Sequence, residues 1–237
     1  MAISDIAYSY CPTNRYLYYK KVEKKRPALT LASFKGRTID EFIQEIYQKI
    51  YDYSVGINLR NFNLLDDVRK TLNTRVDELE GAFDYDKFPV TPIKRDVDEF
   101  FENLKKLVYH ETLCASSLIS HRVSNLYDIN LETEMRILFP FDFKLKITAP
   151  TLGVSGSAAI DFLIRQSIIG EIKSEQWHKF YNLGLAGYAL AYEADRMENV
   201  NLGVVVCPTF YNNRHIPIYR NRTNIRVIIE AWRLMFL

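Results

Sequence analysis

The chain has 237 residues, of which 48% are hydrophobic and 25% are charged, and this composition predicts a globular protein with a sizeable core. Its net charge of +2 excludes a protein that is basic throughout, so a nucleic-acid surface would have to come from local clusters. No apolar run reaches the roughly 18 residues of a membrane helix, and the N-terminal segment lacks the apolar stretch of a signal peptide. Three widely separated cysteines favour a reducing cytoplasm over a disulfide scaffold.

Charge is distributed unevenly along the chain. Basic residues dominate from Arg15 to Arg26 and again from Asn199 to the end, whereas the stretch from Asp77 to Glu102 is acidic. Opposed blocks of this kind predict a polarised surface, although any single block is equally typical of a solvated face.

The first half of the chain has the period of helices. From Thr38 to Tyr53, apolar residues recur on one stripe, and Thr38 with Glu41 has the spacing of a capping box. Two further helices are predicted, at Leu64–Leu79 and from Asp96 to His121. Pro89 and Pro92 break the chain between them.

The second half changes to the period of strands. In chain order, the predicted elements are strands at Phe141–Ala149, Ser157–Leu163 and Ser167–Lys173, a helix at His178–Glu193, strands at Val204–Cys207 and His215–Tyr219, and a helix at Asn224–Phe236. Turns are expected at Thr151–Gly156 and Arg165–Gln166. This order predicts an α/β fold with a mixed-sheet core over residues 141–237 and a mainly helical part over residues 1–140.

Two carboxylates lie inside apolar strand segments, Asp161 in IDFLI and Glu171 in IIGEIK. A buried carboxylate is costly unless it is paired, protonated or bound to a metal. Lys173 follows Glu171 by two residues and so shares its face of the strand. Oxygen ligands favour Mg²⁺ or Mn²⁺, which activate water and stabilise charge on a phosphate. The alternative is a plain salt bridge between Glu171 and Lys173, but the strand–turn–strand context favours the functional interpretation.

The hairpin GSAAIDFLIRQSIIGEIKS, followed by GLAGYALAYE, resembles the RecB-like branch of the PD-(D/E)xK superfamily. Within this branch the chain is most similar to CRISPR-associated nucleases of the Cas-four group, in particular their archaeal variant from type I-A systems. Three further segments, YCPTNRYLYYKK, KGRTIDEFIQEI and ITAPTLGVSGSAAID, carry the same resemblance in the same order.

This resemblance implies a single RecB-like nuclease domain with a restriction-endonuclease-like mixed sheet flanked by helices and an N-terminal helical lobe. The implied activity is metal-dependent DNA cleavage, exonucleolytic or end-trimming, in CRISPR adaptation, with Mg²⁺ or Mn²⁺ as cofactor. DNA and CRISPR integrase proteins are the implied partners, and a homo-oligomer stays open. Asp161 and Glu171 would be metal ligands, Lys173 the catalytic lysine and Tyr188 a DNA contact.

The chain departs from the family's pattern at several positions. Asp40 stands where relatives often have a histidine ligand; it would be a third metal ligand or, equally, a solvated acid near a helix start. Gly184 replaces the glutamine expected before Tyr188, and Ile160 replaces the proline before Asp161.

The cysteines also depart from the family's iron–sulfur pattern. Only Cys11 matches a cluster ligand, since Cys114 falls in a helix and Cys207 in an apolar strand. Because three scattered cysteines do not make a four-thiolate site, absence of an iron–sulfur cluster is favoured.

Other candidate DNA contacts are weaker. Arg15, Lys20 and Lys21 alternate with tyrosines, a pattern that suits single-strand binding and helix packing almost equally. His178, at a helix start, would face phosphate or have no ligand role. Two alternatives to the nuclease of CRISPR adaptation remain open at this point: a non-catalytic DNA-binding or scaffolding subunit, and a viral or restriction nuclease of the same superfamily.

Overall fold

The computed structural model describes Tyr18 and residues 22–24, 28–56, 64–124, 130–173, 180–200, 202–213 and 216–227. These residues divide into two compact units, which are described separately. A helical unit contains residues 29–140 together with 208–220, and a sheet unit contains residues 141–207 together with 221–227 and the described residues up to 28. None of the helices in these ranges combines the length and apolar character that crossing a membrane requires.

The helical unit contains four α-helices in the described ranges: α1 (Leu31–Gly56), α2 (Leu64–Gly81), α3 (Lys94–Ser124) and α4 (Leu131–Leu138). The predicted apolar stripe of α1 is confirmed, because Ile39, Phe42, Ile43, Ile46 and Ile50 are all buried. The proline break between α2 and α3 is also confirmed, since Pro89 and Pro92 lie in the connection, after a short 3₁₀ turn at Tyr85–Lys87.

The predicted cap of α1 is wrong. Thr38 is buried inside the helix, which begins at Leu31. Thr30 and Ser33 cap it instead: the Ser33 amide donates to Thr30 Oγ1 at 3.2 Å, and the Thr30 amide donates to Ser33 Oγ at 3.1 Å. This reciprocal pair has the geometry of a capping box with serine at its second position. α1 therefore begins at Leu31, well before the start at Thr38 that the sequence predicts.

The sheet unit follows the predicted order of strands and helix. Its elements are β1 (Phe141–Ala149), β2 (Val154–Ile164), β3 (Ile168–Ile172) and α5 (Phe180–Arg196), together with the parts of β4 (Leu202–Asn213) and β5 (Ile216–Val227) that lie outside residues 208–220. The strands form one mixed sheet in the order β1-β2-β3-β4-β5. β2 is antiparallel to β1 and β3, whereas β3 and β4 are parallel and are connected through α5. The α/β prediction is thus confirmed.

The turn between β2 and β3 gives the hairpin its form. Arg165 and Gln166 both have positive φ, 48° and 55°, and the Ser167 amide donates to the Ile164 carbonyl at 3.0 Å. Successive positive-φ residues match the turn to the twist of antiparallel strands. The hairpin brings the apolar segments that contain Asp161 and Glu171 onto neighbouring strands.

Two predicted boundaries in the sheet unit are wrong. The helix at Asn224–Phe236 is contradicted over residues 224–227, which belong to β5, while residues 228–237 lie outside the described ranges. The segment IPIYRNRTNIRV is rich in β-branched and aromatic residues, which favour a strand beside β4. The turn at Thr151–Gly156 is shorter than predicted: a 3₁₀ turn at Pro150–Leu152 ends at Gly153, with φ of 71°, and β2 begins at Val154.

Gly170 pairs with Phe162 across the β2–β3 hairpin. A Cβ atom at Gly170 would lie 1.9 Å from two ring atoms of Phe162, far inside contact distance. The ring of Phe162 therefore occupies the space that a side chain at position 170 would need, and the two strands can pair here only because that residue is glycine.

We predict that Gly170→Ala destabilises the protein by about 1–3 kcal/mol, because the new methyl group forces the buried Phe162 ring to move. Urea unfolding followed by circular dichroism measures the change. Gly81→Ala is the matched control, since nothing lies within 4 Å of the added atom there. A Gly170→Ala protein as stable as the control would show that the strands do not depend on this packing.

Candidate active site

Asp161 connects β2 to both of its neighbouring strands. On one side, its Oδ2 accepts a hydrogen bond from the backbone amide of Ile172 at 2.9 Å. On the other side, Lys144 on β1 donates to its Oδ1 at 2.8 Å. The backbone pairing of β2 with β3 extends from Ile164 to Phe162, which pairs with Gly170, and the Asp161 carboxylate binds the Ile172 amide beyond the end of this pairing. Both carboxylate oxygens are thereby oriented.

Glu171 lies on β3, one residue beyond Gly170, and its side chain is only 4% exposed. Lys173 approaches its Oε1 with Nζ at 2.6 Å. The Lys173 amide also donates to the Val206 carbonyl at 2.9 Å, which continues the parallel β3–β4 pairing past Ile172. The salt bridge expected under the plain structural alternative is therefore present, but its carboxylate is buried rather than at an exposed strand end.

The Lys173 ammonium also faces an aromatic ring. Its Nζ lies 5.4 Å from the ring centroid of Tyr181, a buried residue in the first turn of α5. This distance is within the range of a cation–π contact. Carboxylate and ring together hold the ammonium group in place, so the lysine is oriented from two elements of the sheet unit.

Tyr188 lies about two helical turns after Tyr181 on α5 and packs against the core of the sheet unit. Burial raises the pKa of its hydroxyl well above the usual value, and the negative charges of Glu171 and Asp161 raise it further. Both carboxylates are therefore near enough to act on the same phenol. The structure brings together Asp161, Glu171, Lys173 and Tyr188, as the sequence predicts, and adds Lys144 and Tyr181, which the sequence pattern does not indicate.

The remaining candidates are not on the elements of the sheet unit described above. Asp40 belongs to the helical unit, half-buried on α1, where its Oδ1 accepts a hydrogen bond from Gln44 at 3.0 Å. Its role as a third metal ligand stays a prediction. Cys114 is an exposed free thiol on α3. The candidates that lie outside the described residues are Cys11, Arg15, Lys20, Lys21 and His178.

The donor set can be compared with the needs of a metal ion. No group of three or more His, Cys, Asp or Glu side chains in the described ranges is arranged to hold one. Asp161 and Glu171 nevertheless offer two carboxylates, and Mg²⁺ is commonly bound by one or two carboxylates plus waters and substrate phosphate. The chemistry of this pair fits a hard cation and excludes a site built on thiolates. Lys144 and Lys173 balance the charge of the two carboxylates.

A family model described as CRISPR-associated exonuclease Csa1 matches residues 1–237. The chain belongs to the CRISPR-associated exonuclease Csa1 family. This finding confirms the expected resemblance to CRISPR-associated nucleases, and the Csa1 family's description agrees with the expected exonuclease class. No curated protein and no solved structure matches the chain significantly.

The environment of Tyr188 leads to a pH-dependent prediction. Because the folded protein retains the phenol proton above pH 10.0, where an ordinary tyrosine loses it, wild-type stability falls as pH rises past that value. Tyr188→Phe has no proton to lose at this position and should lose less stability between about pH 8 and about pH 11. Urea unfolding of both proteins at the two pH values measures the difference. Parallel losses would contradict a raised pKa at Tyr188.

Proposed function

We propose that this chain is a Mg²⁺- or Mn²⁺-dependent deoxyribonuclease that trims DNA ends during CRISPR adaptation, with Asp161, Glu171 and Lys173 as its catalytic centre. The observation that carries the proposal is the β2–β3 hairpin, on which two carboxylates lie on neighbouring strands and a lysine contacts one of them at 2.6 Å. These are the residue types and the strand context of PD-(D/E)xK nucleases, to which the sequence is similar.

The energetic cost of the centre supports a functional role. Glu171 is 3% exposed in a strand whose neighbours Ile169 and Ile172 are apolar and buried. Removing a charge from water costs several kcal/mol, and a buried ion pair often recovers no more than that cost. Apolar residues at positions 171 and 173 would stabilise the sheet at least as well. Chemistry that requires these charges explains their retention.

Each side chain has a distinct role in phosphodiester hydrolysis. Asp161 and Glu171 supply carboxylate oxygens to the cation, which when bound lowers the pKa of a water and stabilises charge on the phosphate. Lys173, held between Glu171 and Tyr181, donates hydrogen bonds to the attacking water or to a phosphate oxygen. Water adds to phosphorus, the P–O bond to the leaving nucleotide breaks, and the leaving oxygen takes a proton.

The two tyrosines of α5 form the surroundings of this centre. Tyr181 lies under the lysine, and Tyr188 remains a neutral hydroxyl beside two negative charges. A neutral phenol can donate a hydrogen bond to a DNA phosphate without adding repulsion, which a tyrosinate could not do. We therefore assign Tyr188 to substrate binding and Tyr181 to positioning of Lys173.

The family supports the preference for ends and the biological setting. Its description names a CRISPR-associated exonuclease, which favours DNA termini as the substrate. The place in adaptation, and CRISPR integrase proteins as partners, rest on the resemblance of the hairpin and its flanking segments to the Cas-four group.

We predict that the purified protein degrades linear DNA with Mn²⁺ and leaves circular single-stranded DNA intact, because an exonuclease needs an end. Asp161→Asn, Glu171→Gln and Lys173→Met should each lower the rate by about 100-fold or more, the usual loss when such groups are removed. Gel assays with 5′- and 3′-labelled strands measure the rate and give the polarity.

The matched control for these variants is Asp195→Asn. Asp195 also accepts hydrogen bonds from a backbone amide and a side chain, those of Thr148, but lies at the end of α5. It should retain wild-type activity. Equal cleavage by all variants would assign the activity to a contaminant, whereas DNA binding without cleavage by any protein would favour a non-catalytic DNA-binding subunit.

Metal binding provides a test that is independent of cleavage. We predict that Mn²⁺ raises the melting temperature of the wild-type protein, because a ligand that binds only the folded state stabilises it by about 2.7 kcal/mol at 100 times its dissociation constant. Asp161→Asn should lose most of this gain and Asp195→Asn should retain it. A gain of the same size in Asp161→Asn would place the bound ion elsewhere.

A further inference from the structure

We infer that Lys144 is a second lysine of this centre: it neutralises Asp161 in the metal-free protein, yields that carboxylate to the metal ion, and then binds the substrate phosphate. This inference rests on the proposed nuclease function and extends it to a residue on β1 that the sequence analysis does not single out. Three independent features of Lys144 carry it: its contact, its backbone conformation and the charge balance around it.

The first feature is the contact. The β1–β2 register matches Phe143 with Phe162 and Leu145 with Ile160, so Lys144 and Asp161 stand at corresponding positions between these two pairs. The Lys144 ammonium lies 2.8 Å from Asp161 Oδ1, with side-chain exposures of 39% and 18%. Lys144 thus contacts a residue that we assign to the metal, from the strand opposite to the one that carries Glu171 and Lys173.

The second feature is the backbone. Lys144 has φ of 50°, the left-handed region, although it lies inside a β-strand. This conformation costs a residue with a side chain about 1–2 kcal/mol, and such strain is concentrated at functional sites. Lys146, two residues along the same strand, is exposed and has no such strain. Local strain therefore distinguishes the lysine that contacts Asp161 from its neighbour.

The third feature is charge. Among the described residues, Lys144 contacts Asp161 and Lys173 contacts Glu171, so each of these two carboxylates has a cationic partner. A divalent ion held by the Asp161 carboxylate would repel the ammonium group that contacts the same carboxylate, so Lys144 would have to move away. Asp161 stays oriented meanwhile, because the Ile172 amide still donates to its other oxygen.

The released ammonium lies at the end of a flexible four-carbon chain and close to the metal. The anion that arrives there during the reaction is the phosphodiester of the substrate, which an ammonium group can bind as a point charge. When no DNA is bound, metal binding breaks the Lys144–Asp161 ion pair and the lysine gains no phosphate in exchange. When DNA is bound, the lysine pairs with a phosphate of the DNA instead. Lys144 therefore couples the binding of metal and DNA.

Mn²⁺ titration by calorimetry tests the first half of this inference. Lys144→Met should bind Mn²⁺ about tenfold more tightly than wild type, within the usual range of such couplings, because no ammonium competes for Asp161. Lys144→Arg should remain near wild type. Lys144→Gly should behave like the methionine variant while melting no lower than wild type, since glycine accepts the positive φ without strain. Lys146→Met is the control for surface charge and should change the affinity little.

Steady-state kinetics on linear DNA test the second half. Lys144→Met should raise KM for DNA about tenfold, while kcat changes less, and Lys144→Arg should restore KM. A purely structural lysine would not give opposite changes in metal affinity and DNA affinity.

The outcomes separate this inference from the proposed function. If Lys144→Met and Lys146→Met both bind Mn²⁺ like wild type, and Asp161→Asn does not bind it, the metal centre stands and the role of Lys144 is overturned. An unchanged KM for Lys144→Met overturns the role in DNA binding. If neither wild type nor Lys144→Met binds Mn²⁺, the proposed metal centre itself fails, and the inference fails with it.

Discussion

Asp161 is the residue on which the geometry of the candidate centre depends. Its two carboxylate oxygens accept hydrogen bonds from both neighbouring strands, from Lys144 on one side and from the Ile172 amide on the other. Asp161 is half-buried, so hydrogen bonds to both carboxylate oxygens offset the cost of its partial removal from water. The same arrangement orients Asp161 before any metal ion arrives, and a ligand that is already oriented loses less entropy on binding. Under the proposed function, one set of hydrogen bonds would therefore meet both the requirement for burial and the requirement for catalysis.

The packing of the hairpin supports this arrangement. Phe162 fills the space above Gly170, which fixes the register of β2 against β3 one residue away from both Asp161 and Glu171. A register shift by one residue would turn the carboxylates to the opposite face. On the carboxylate side, α5 contributes Tyr181 and Tyr188, so the charged cluster is bounded by aromatic side chains. The low polarity of these neighbours strengthens every charge interaction among the four ionised groups.

The sequence predicts this centre well where local pattern determines structure. The two apolar segments that contain Asp161 and Glu171, and the turn at Arg165–Gln166 between them, are sufficient to predict that these strands pair. The pattern is insufficient for Lys144, because FDFKLKITA offers two lysines on the same side of a strand and the positive φ of one of them has no local signature. It is insufficient for residues 224–227 as well, where strand pairing overrides an apolar spacing that also suits a helix. Thr38 is not the cap because the helix extends past it to Leu31, where Thr30 and Ser33 form the cap.

The charge balance of the cluster bears on what it does. Two carboxylates and two lysines form a neutral group that is compatible with a folded, metal-free sheet, whereas two unpaired carboxylates would repel each other. A divalent cation would make the group positive, and the single negative charge of a phosphodiester would offset part of that charge. Under the proposed function the lysines would serve two states: without the metal they pair with the carboxylates, and with the metal bound they would favour the anionic substrate. Pairing alone does not require a lysine in strained backbone, and a position from which Lys144 could also reach a phosphate is what the proposed nuclease function would use.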